Sequence, residues 1–304
     1  MRLVGLFDLA TGVWIGVATA PFRSSERHLC RKLWRHVRAG DTLVADSGFC
    51  CWFTFHFFSQ RGVKVVMRNN AVRKPDPRAK KLGKRDRLEH WKKPRAKPKW
   101  VSASAYARMP ESIAVRVVTA IIEPAAGFRT TELQLATTML DPKDTDAPQI
   151  GSLYLKRWKV EIFIDDIKTT LGMAVLTSRS PAMIRRELFV HIIAYNLLRA
   201  LMSCSKSAGS ENPSLKGTID RLYLWLPTVL TATSAAMRKW LVADLVELIA
   251  EDQVPERPFR KAPRAVKRRP KPYQLLNQPR HQMREISHRS KYKKPVAEIT
   301  PNNP

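Results

Sequence analysis

The first 70 residues contain a succession of short apolar segments, and their order constrains the fold more than any other feature of the chain. RLVGLFDL and GVWIGVATA are typical of two strands, and the ATG between them predicts a hairpin. A helix is predicted for SSERHLCRKLWRHV, a strand for DTLVAD, a buried helix for WFTFHFFSQRG and another strand for VKVVMR. Strands that alternate with helices in this way predict an α/β fold.

Further along, AVRVVTAIIE and TELQLATTML predict a β-hairpin, and residues 181–250 are predicted to be mostly helical. The four cysteines have no C-x-x-C spacing, which argues for free thiols and against a zinc site. No apolar run approaches the roughly 20 residues of a membrane-spanning helix, so no membrane association is predicted and a cytoplasmic location is expected.

Two basic segments interrupt this pattern. Residues 73–99 hold 13 Lys or Arg against 3 acids, and residues 257–294 hold 14 against the single acid Glu285. Both segments contain prolines, so the first is predicted to be a loop or extended arm and the second an extended tail. The whole chain of 304 residues has a formal charge of +28, which implies a polyanionic partner. Nucleic acid is the first candidate and an anionic membrane surface is the second.

Aromatic rings beside clustered cations favour nucleic acid, because rings stack on bases while cations neutralise phosphates. Trp91 and Trp100 are therefore predicted to contact DNA, although a solubilising linker is the alternative for this arm. In the tail, the cations predicted to follow a phosphate backbone include Lys267, Arg268 and Arg269.

The segment YLKRWKVEIFIDDIKTTLGM, residues 154–173, predicts a helix with an unusual polar stripe. Tyr154, Arg157, Glu161 and Lys168 fall within about 60° of one another on a helical wheel. This stripe borders the apolar sector instead of opposing it. A solvated face with ion pairs is one interpretation. The other is a carboxylate that binds a metal while the neighbouring cations hold phosphates.

The spacing of these four residues resembles the signature of the insertion-sequence-4 family of bacterial DDE transposases. The signature is Tyr, two residues, Arg, three residues, Glu, six residues and Lys. AGDTLVADSGF, LATTMLDP, ELFVHIIAYNLLRALM and PRAVKRRPKPYQLL also resemble segments of that family. The resemblance implies a ribonuclease-H-like mixed sheet with helices, interrupted by a β-rich insertion and followed by a helical C-terminal region and a basic tail.

The resemblance also implies site residues and a reaction. Asp46 and Glu161 would be catalytic carboxylates that bind two Mg²⁺ (or Mn²⁺) ions, which activate the nucleophile and stabilise the leaving oxygen. Tyr154, Arg157 and Lys168 would hold the DNA backbone. The expected partner is double-stranded DNA, at transposon ends and target. A homodimer on DNA and association with the bacterial nucleoid are expected with it.

One departure from the family bears on activity. The family's first aspartate lies on a strand that precedes the hairpin, and here Met1 opens directly on that hairpin. Asp8 is the acid nearest to this position, and a role in the hairpin turn is its natural interpretation. A truncated transposase is therefore expected, with a catalytically inactive DNA-binding remnant as the alternative. An RNA-binding or ribosome-associated protein is a third reading, which the motif spacing disfavours.

The expected organisation has five parts. Residues 1–71 are the first part of the catalytic domain, residues 72–149 the basic arm and β-rich insertion, and residues 150–206 the second part, with the Glu helix. Residues 207–256 form the helical C-terminal region, and residues 257–304 form the basic tail.

Overall fold

The computed structural model describes residues 1–70, 72–73, 76–121, 132–207, 212–254 and Gln282. The chain divides into two units, Met1–Lys261 and Ala262–Pro304, and every element named below belongs to the first. The predicted tail contacts Lys267, Arg268 and Arg269 lie outside the described residues.

The N-terminal elements follow the predicted order. Strands β1 (Arg2–Phe7) and β2 (Trp14–Ala20) form an antiparallel hairpin and a separate two-stranded sheet. After them come α1 (Glu26–Leu33), a short 3-10 turn (Trp34–His36), β3 (Thr42–Ala45), α2 (Trp52–Ser59) and β4 (Lys64–Arg68). The sequence pattern predicted each of these strands and α-helices.

A six-stranded mixed sheet, called the central sheet below, lies in the first unit. It adds β5 (Lys80–Gly83), β6 (Asp86–Lys92), β7 (Ser112–Ile121) and β8 (Glu132–Thr137), and α3 (Ala103–Arg108) lies between β6 and β7. The strand order is β3-β4-β8-β7-β6-β5, with β3 and β4 parallel and the other neighbours antiparallel. The predicted hairpin of β7 and β8 is confirmed.

The prediction of an extended arm over residues 73–99 is wrong, because β5 and β6 belong to this sheet. The two buried acids of the segment are each paired with an arginine. Arg116 of β7 is fully buried and donates to both carboxylate oxygens of Asp86, at 2.9 and 3.1 Å. Glu89 is also buried and accepts from Arg87 and from the indole of Trp91. Buried charges persist when they are paired in this way, so a basic composition did not prevent strand formation.

Helices cover both faces of the central sheet. Alternate residues of a strand point to opposite faces. On β4, Val65 and Met67 pack with Trp52 and other residues of α2, whereas Val66 packs with Tyr154 of the helix α4 (Ala147–Leu155). The packing of α4 on β3, β4 and β7 therefore fixes the position of Tyr154.

The single helix predicted for the segment YLKRWKVEIFIDDIKTTLGM, residues 154–173, is divided. Helix α4 ends at Leu155, a turn follows at residues 156–157, α5 spans Trp158–Asp165, and a π-helical turn spans Asp166–Thr170. Backbone bonds of the i to i+3 type, from Arg157 N to Tyr154 O and from Val160 N to Arg157 O, tighten the chain at the first break. A wheel with a constant angle per residue therefore does not describe the whole segment.

The remaining helices are α6 (Pro181–Ser207), α7 (Leu215–Thr231) and α8 (Ala235–Glu251), which confirms the helical prediction for residues 181–250. Contrary to the sequence expectation, residues Pro181–Lys206 of α6 are long and apolar enough to cross a membrane by length and composition alone. Only 39% of the most apolar 18-residue stretch of this helix is buried inside the protein.

Candidate active site

Asp46 is the first residue after β3, at the carboxyl end of a strand that is parallel to β4. A turn begins there, since Phe49 N donates to Asp46 O at 3.0 Å and Cys50 N donates to Ser47 O. The chain therefore leaves the sheet abruptly, and the Asp46 side chain remains 54% exposed. A carboxylate in this position is accessible to a ligand.

Two residues from the α4–α5 segment contact Asp46. Tyr154 Oη donates to Asp46 Oδ1 at 3.2 Å, across 108 positions of sequence. Arg157 Nη1 donates to Asp46 Oδ2 at 3.4 Å, and Arg157 Nε lies 3.3 Å from Asp46 Oδ1. Because Tyr154 is buried against the sheet, these contacts join the end of β3 to the start of α5.

Glu161 reaches the same guanidinium from one helical turn further along. Arg157 Nη2 donates to Glu161 Oε1 at 3.0 Å, and the Glu161 side chain is as exposed as that of Asp46. The structure therefore brings Asp46 and Glu161 to one cation. Arg157 screens the repulsion that two neighbouring carboxylates would otherwise have.

These contacts shift the pKa values of Tyr154 and Arg157, the two groups that hold the carboxylates. Burial, with the nearby charge of Asp46, raises the pKa of Tyr154 to about 12. Burial alone would lower the pKa of Arg157, but attraction to Asp46, Tyr154 and Glu161 outweighs it and raises that pKa. Tyr154 therefore remains a hydrogen-bond donor and Arg157 remains a cation throughout the physiological pH range.

A groove of about 930 Å³ adjoins these residues. Its walls include Gly5–Phe7 of β1 and all four residues of β3, and Asp46, Lys156, Arg157 and Lys159 also line it. Among the described strands, β1 pairs only with β2, and β3 pairs only with β4. The groove therefore lies between two strand edges whose backbone groups on that side have no strand partner.

Asp8 lines the same groove but is engaged in the hairpin turn. Its carboxylate accepts from Ala10 N at 3.0 Å and from Thr11 Oγ1 at 2.8 Å. Gly12, with a φ of +79°, completes this turn. The turn role predicted for Asp8 is confirmed.

The structure places the other predicted site residues in different environments. Trp91 is 3% exposed, and its indole donates to Glu89, so the prediction that Trp91 stacks on a base is wrong. Trp100 is 40% exposed and lies beside Trp34 and under Arg31, so one face of its ring is used within the protein. Lys168 is exposed on the π-helical turn. No contact within the described part of the chain joins its side chain to Asp46 or Glu161.

The structure adds residues that the sequence patterns missed. Arg199 of α6 contacts Asp166 and donates to Tyr195 Oη at 2.9 Å, while Tyr195 donates to Gly12 O at 3.0 Å. This network ties the π-helical turn to the β1–β2 hairpin and α6. Lys156 and Lys159, which line the groove, could have been found by their place on either side of the Arg157–Trp158 pair.

The carboxylates of the site differ from the two-metal donor set that the resemblance implies. Within the described ranges, no group of three or more His, Cys, Asp or Glu side chains is placed to hold a metal ion. Asp46 and Glu161 are exposed carboxylates, which fit one divalent cation that retains several waters. They do not by themselves make the donor set of a two-metal site.

The chain is similar in sequence to known proteins. A family model described as Transposase DDE domain matches residues 1–197. Transposase InsG for insertion sequence element IS4, from Escherichia coli (strain K12), is 25% identical over 284 residues, which cover 90% of this chain and 61% of that relative. The chain thus spans about three fifths of the curated relative.

Among solved structures, a piggyBac transposase synaptic complex with hairpin DNA matches with a TM-score of 0.44 and 13% identity. The match covers 81% of this chain and 51% of the other. The family model alone extends over well more than half of the sequence. The chain therefore belongs to the family of transposases with a DDE domain.

Proposed function

We propose that this chain carries out DNA transposition of the cut-and-paste type, by Mg²⁺-dependent cleavage of phosphodiester bonds and strand transfer. The convergence of Asp46 and Glu161 on one guanidinium carries the proposal. These carboxylates come from separate elements, and the buried Tyr154 beside them positions the junction. Phosphoryl transfer depends chiefly on positioning and on charge stabilisation, which such a cluster supplies.

The architecture supports a ribonuclease-H-like catalytic domain formed from residues 1–71 and 150–206, with residues 72–149 as the insertion. In this proposal the groove between β1 and β3 is the place for one further strand, carrying a third carboxylate, which none of the described strands supplies. The groove between these two edges supports it, because a strand placed there would pair with both sides and join the two sheets. Such a strand would also protect two edges that are otherwise prone to aggregation.

Asp46 and Glu161 would hold the divalent ion. When bound, Mg²⁺ or Mn²⁺ supplies Lewis-acid stabilisation and an activated oxygen nucleophile. Arg157 holds the two carboxylates together before an ion binds, and Tyr154 orients Asp46 by donating a hydrogen bond. Lys156 and Lys159 place positive charge along the groove, where they attract DNA phosphates.

Double-stranded DNA is the proposed partner, and the net charge of +28 supports it. Lys168, the exposed part of Trp100 and the tail residues Lys267, Arg268 and Arg269 are proposed contacts. The proposed place of action is the bacterial cytoplasm, at the nucleoid.

A second candidate is a DNA-binding remnant without nuclease activity. One observation favours it. Asp8, the acid that lines the groove near Asp46, has both carboxylate oxygens engaged in the hairpin turn. With two carboxylates in place, Mg²⁺ coordination would be incomplete and binding correspondingly weak.

The two candidates are separated by incubating the chain with supercoiled plasmid and Mg²⁺ or Mn²⁺. A transposase nicks the plasmid, and Asp46→Asn or Glu161→Gln abolishes the nicking. Asp220→Asn serves as the control, because Asp220 is an exposed acid of α7 that pairs with Lys216 and does not line the groove. Plasmid binding without metal-dependent nicking would support the remnant. A chain that does not bind plasmid at low salt would refute both candidates.

A further inference from the structure

Polar side chains on one turn of α6 join that helix to the β1–β2 hairpin and to the π-helical turn. They are Tyr195, Asn196 and Arg199, called the α6 clamp below. Tyr195 is fully buried, and its hydroxyl donates to Gly12 O at 3.0 Å. The side-chain amide of Asn196 accepts from Trp14 N at 2.9 Å and donates to Trp14 O at 3.1 Å. The clamp therefore satisfies backbone groups at the start of β2, as a neighbouring strand would.

Arg199 connects the same turn of α6 to the segment that carries Glu161. Arg199 Nη2 donates to Asp166 Oδ2 at 2.5 Å, and Arg199 Nε donates to Tyr195 Oη at 2.9 Å. The guanidinium also lies 4.6 Å from the ring centre of Phe163. Phe163 is a buried residue of α5, and Asp166 begins the π-helical turn that follows α5. One cation thus holds the C-terminal end of α5 by an ion pair and a ring contact.

The elements that the clamp joins contribute to the groove of the candidate active site. Hairpin residues 8–11, called the hairpin wall below, line this groove together with Lys159 and Val160 of α5. The three clamp residues, all in the described part of the chain, do not line it. On α5, Phe163 lies about 200° from Glu161 around the helix axis. The clamp therefore holds α5 from the side that faces away from Glu161.

Stability alone is a weak reason to bury this ion pair. The side chains of Arg199 and Asp166 are only 10% and 21% exposed. Removing two charges from water costs free energy that their attraction roughly offsets, so an apolar pair of similar volume is often as stable. A planar guanidinium with fixed hydrogen bonds adds direction, because it binds its partners in few orientations. The stacked rings of Phe7 and Trp14 beside Phe163 supply packing but no such direction.

We propose that Arg199 is a positioning residue, which acts through Asp166 and Tyr195 to fix α5, and with it Glu161, relative to the hairpin wall. The inference rests on the proposed function, because it gives the position of Glu161 a role in phosphoryl transfer. Arg199 contacts neither the groove nor a ligand in it. Its loss should therefore slow the reaction of bound DNA without weakening DNA binding. A misplacement of about 1 Å can cost on the order of 100-fold in rate.

Hydrogen exchange of the full chain tests the positioning without requiring activity. Arg199→Met removes the guanidinium and keeps the apolar stem. The amides of α5 and of Trp14 should exchange at least about tenfold faster in this variant, whereas those of β7 should be unchanged. Arg221→Met is the matched control, because Arg221 pairs with Asp252 at 2.8 Å and belongs to α7. Unchanged exchange of α5 in Arg199→Met would overturn the proposal.

Nicking of supercoiled plasmid with Mg²⁺ separates positioning from a purely structural role. Arg199→Met, assayed at a temperature where it is folded, should lower kcat about 10- to 100-fold and change KM for plasmid less than about twofold. Arg199→Lys keeps the charge that pairs with Asp166 and should recover part of the lost rate. A rise in KM alone, or an equal fall in kcat for Arg221→Met, would refute the positioning role. A wild-type chain that does not nick plasmid would refute the proposed function, and the exchange of α5 would then decide on Arg199 alone.

Discussion

Replacing Arg157 by methionine removes the cation that joins Asp46 to Glu161 while retaining most of the side chain's apolar stem. The side chain of Arg157 is only 13% exposed, but both carboxylates are 54% exposed. Solvent screening therefore limits each ion pair to about 0.5–1 kcal/mol. The guanidinium also lies 5.7 Å from the Tyr154 ring centre and 5.2 Å from that of Trp158, contacts worth about 0.5–1 kcal/mol each at a partly exposed site.

Together these contributions predict that Arg157→Met lowers the free energy of unfolding by about 2–4 kcal/mol. For a chain of this size, that corresponds to a fall in Tm of about 3–6 °C. Thermal unfolding followed by circular dichroism at neutral pH and low salt measures it. Arg157→Lys, which keeps the charge but loses the planar fork, should fall between the wild type and Arg157→Met.

Lys216→Met is the matched control, because Lys216 pairs with Asp220 at 3.0 Å on the exposed surface of α7. Its loss should cost no more than about 0.5 kcal/mol. If Arg157→Met lowers Tm no further than Lys216→Met does, Arg157 does not hold β3 and α5 together, and the reasoning about the site is wrong.

Three further predictions concern DNA binding, the hairpin turn and acid stability. The logarithm of the binding constant for duplex DNA should fall with the logarithm of salt concentration, with a slope of about −0.9 per neutralised phosphate. Deletion of residues 257–294 should reduce both the affinity and this slope in filter-binding assays, and an affinity insensitive to salt would contradict the prediction. Asp8→Ala should lower stability by about 1 kcal/mol through loss of its turn bonds and leave Mn²⁺ binding, measured by electron paramagnetic resonance, unchanged; weaker Mn²⁺ binding would make Asp8 a ligand. Hydrogen bonds from the backbone of Thr177 and from Ser178 lower the pKa of Glu187 to about 2, from an ordinary value of 4.5. Since this pKa is depressed in the folded state, the stabilisation is present above about pH 4.5 and is lost as pH falls toward 2, so Glu187→Gln should lower Tm at pH 7 but not near pH 2.

Sequence alone predicted the elements whose patterns are local. The hairpin of β1 and β2, the strand that ends at Asp46, the apolar α2 and the helices after residue 181 all appear where periodicity and turn residues indicated. Asp8 was also correctly placed in a turn, because the hydrogen bonds of an Asx turn lie within a few residues of the aspartate. The motif spacing led to the right family, and the resemblance to that family named Asp46 and Glu161 as a pair.

Contacts between residues far apart in the chain decided the features that the sequence did not predict. The basic composition of residues 73–99 predicted an arm, yet β6 joins the sheet through β7 and Trp91 is buried. Asp86 pairs there with Arg116 of β7, and Glu89 pairs with Arg87. Neither partner choice nor strand order can be read from local periodicity, since both depend on residues far apart in the chain.

In the candidate site, too, the local features came from the sequence and the long-range contacts from the tertiary structure. The sequence by itself determined which polar side chains stand on the segment from Tyr154 to Lys168, and that Asp46 ends a strand. Only the tertiary structure decided that the helix breaks after Leu155 and that Arg157 lies between the two carboxylates. The physical reason is that α4 packs on the sheet through Ile150 and Tyr154, and this packing turns Arg157 toward the end of β3.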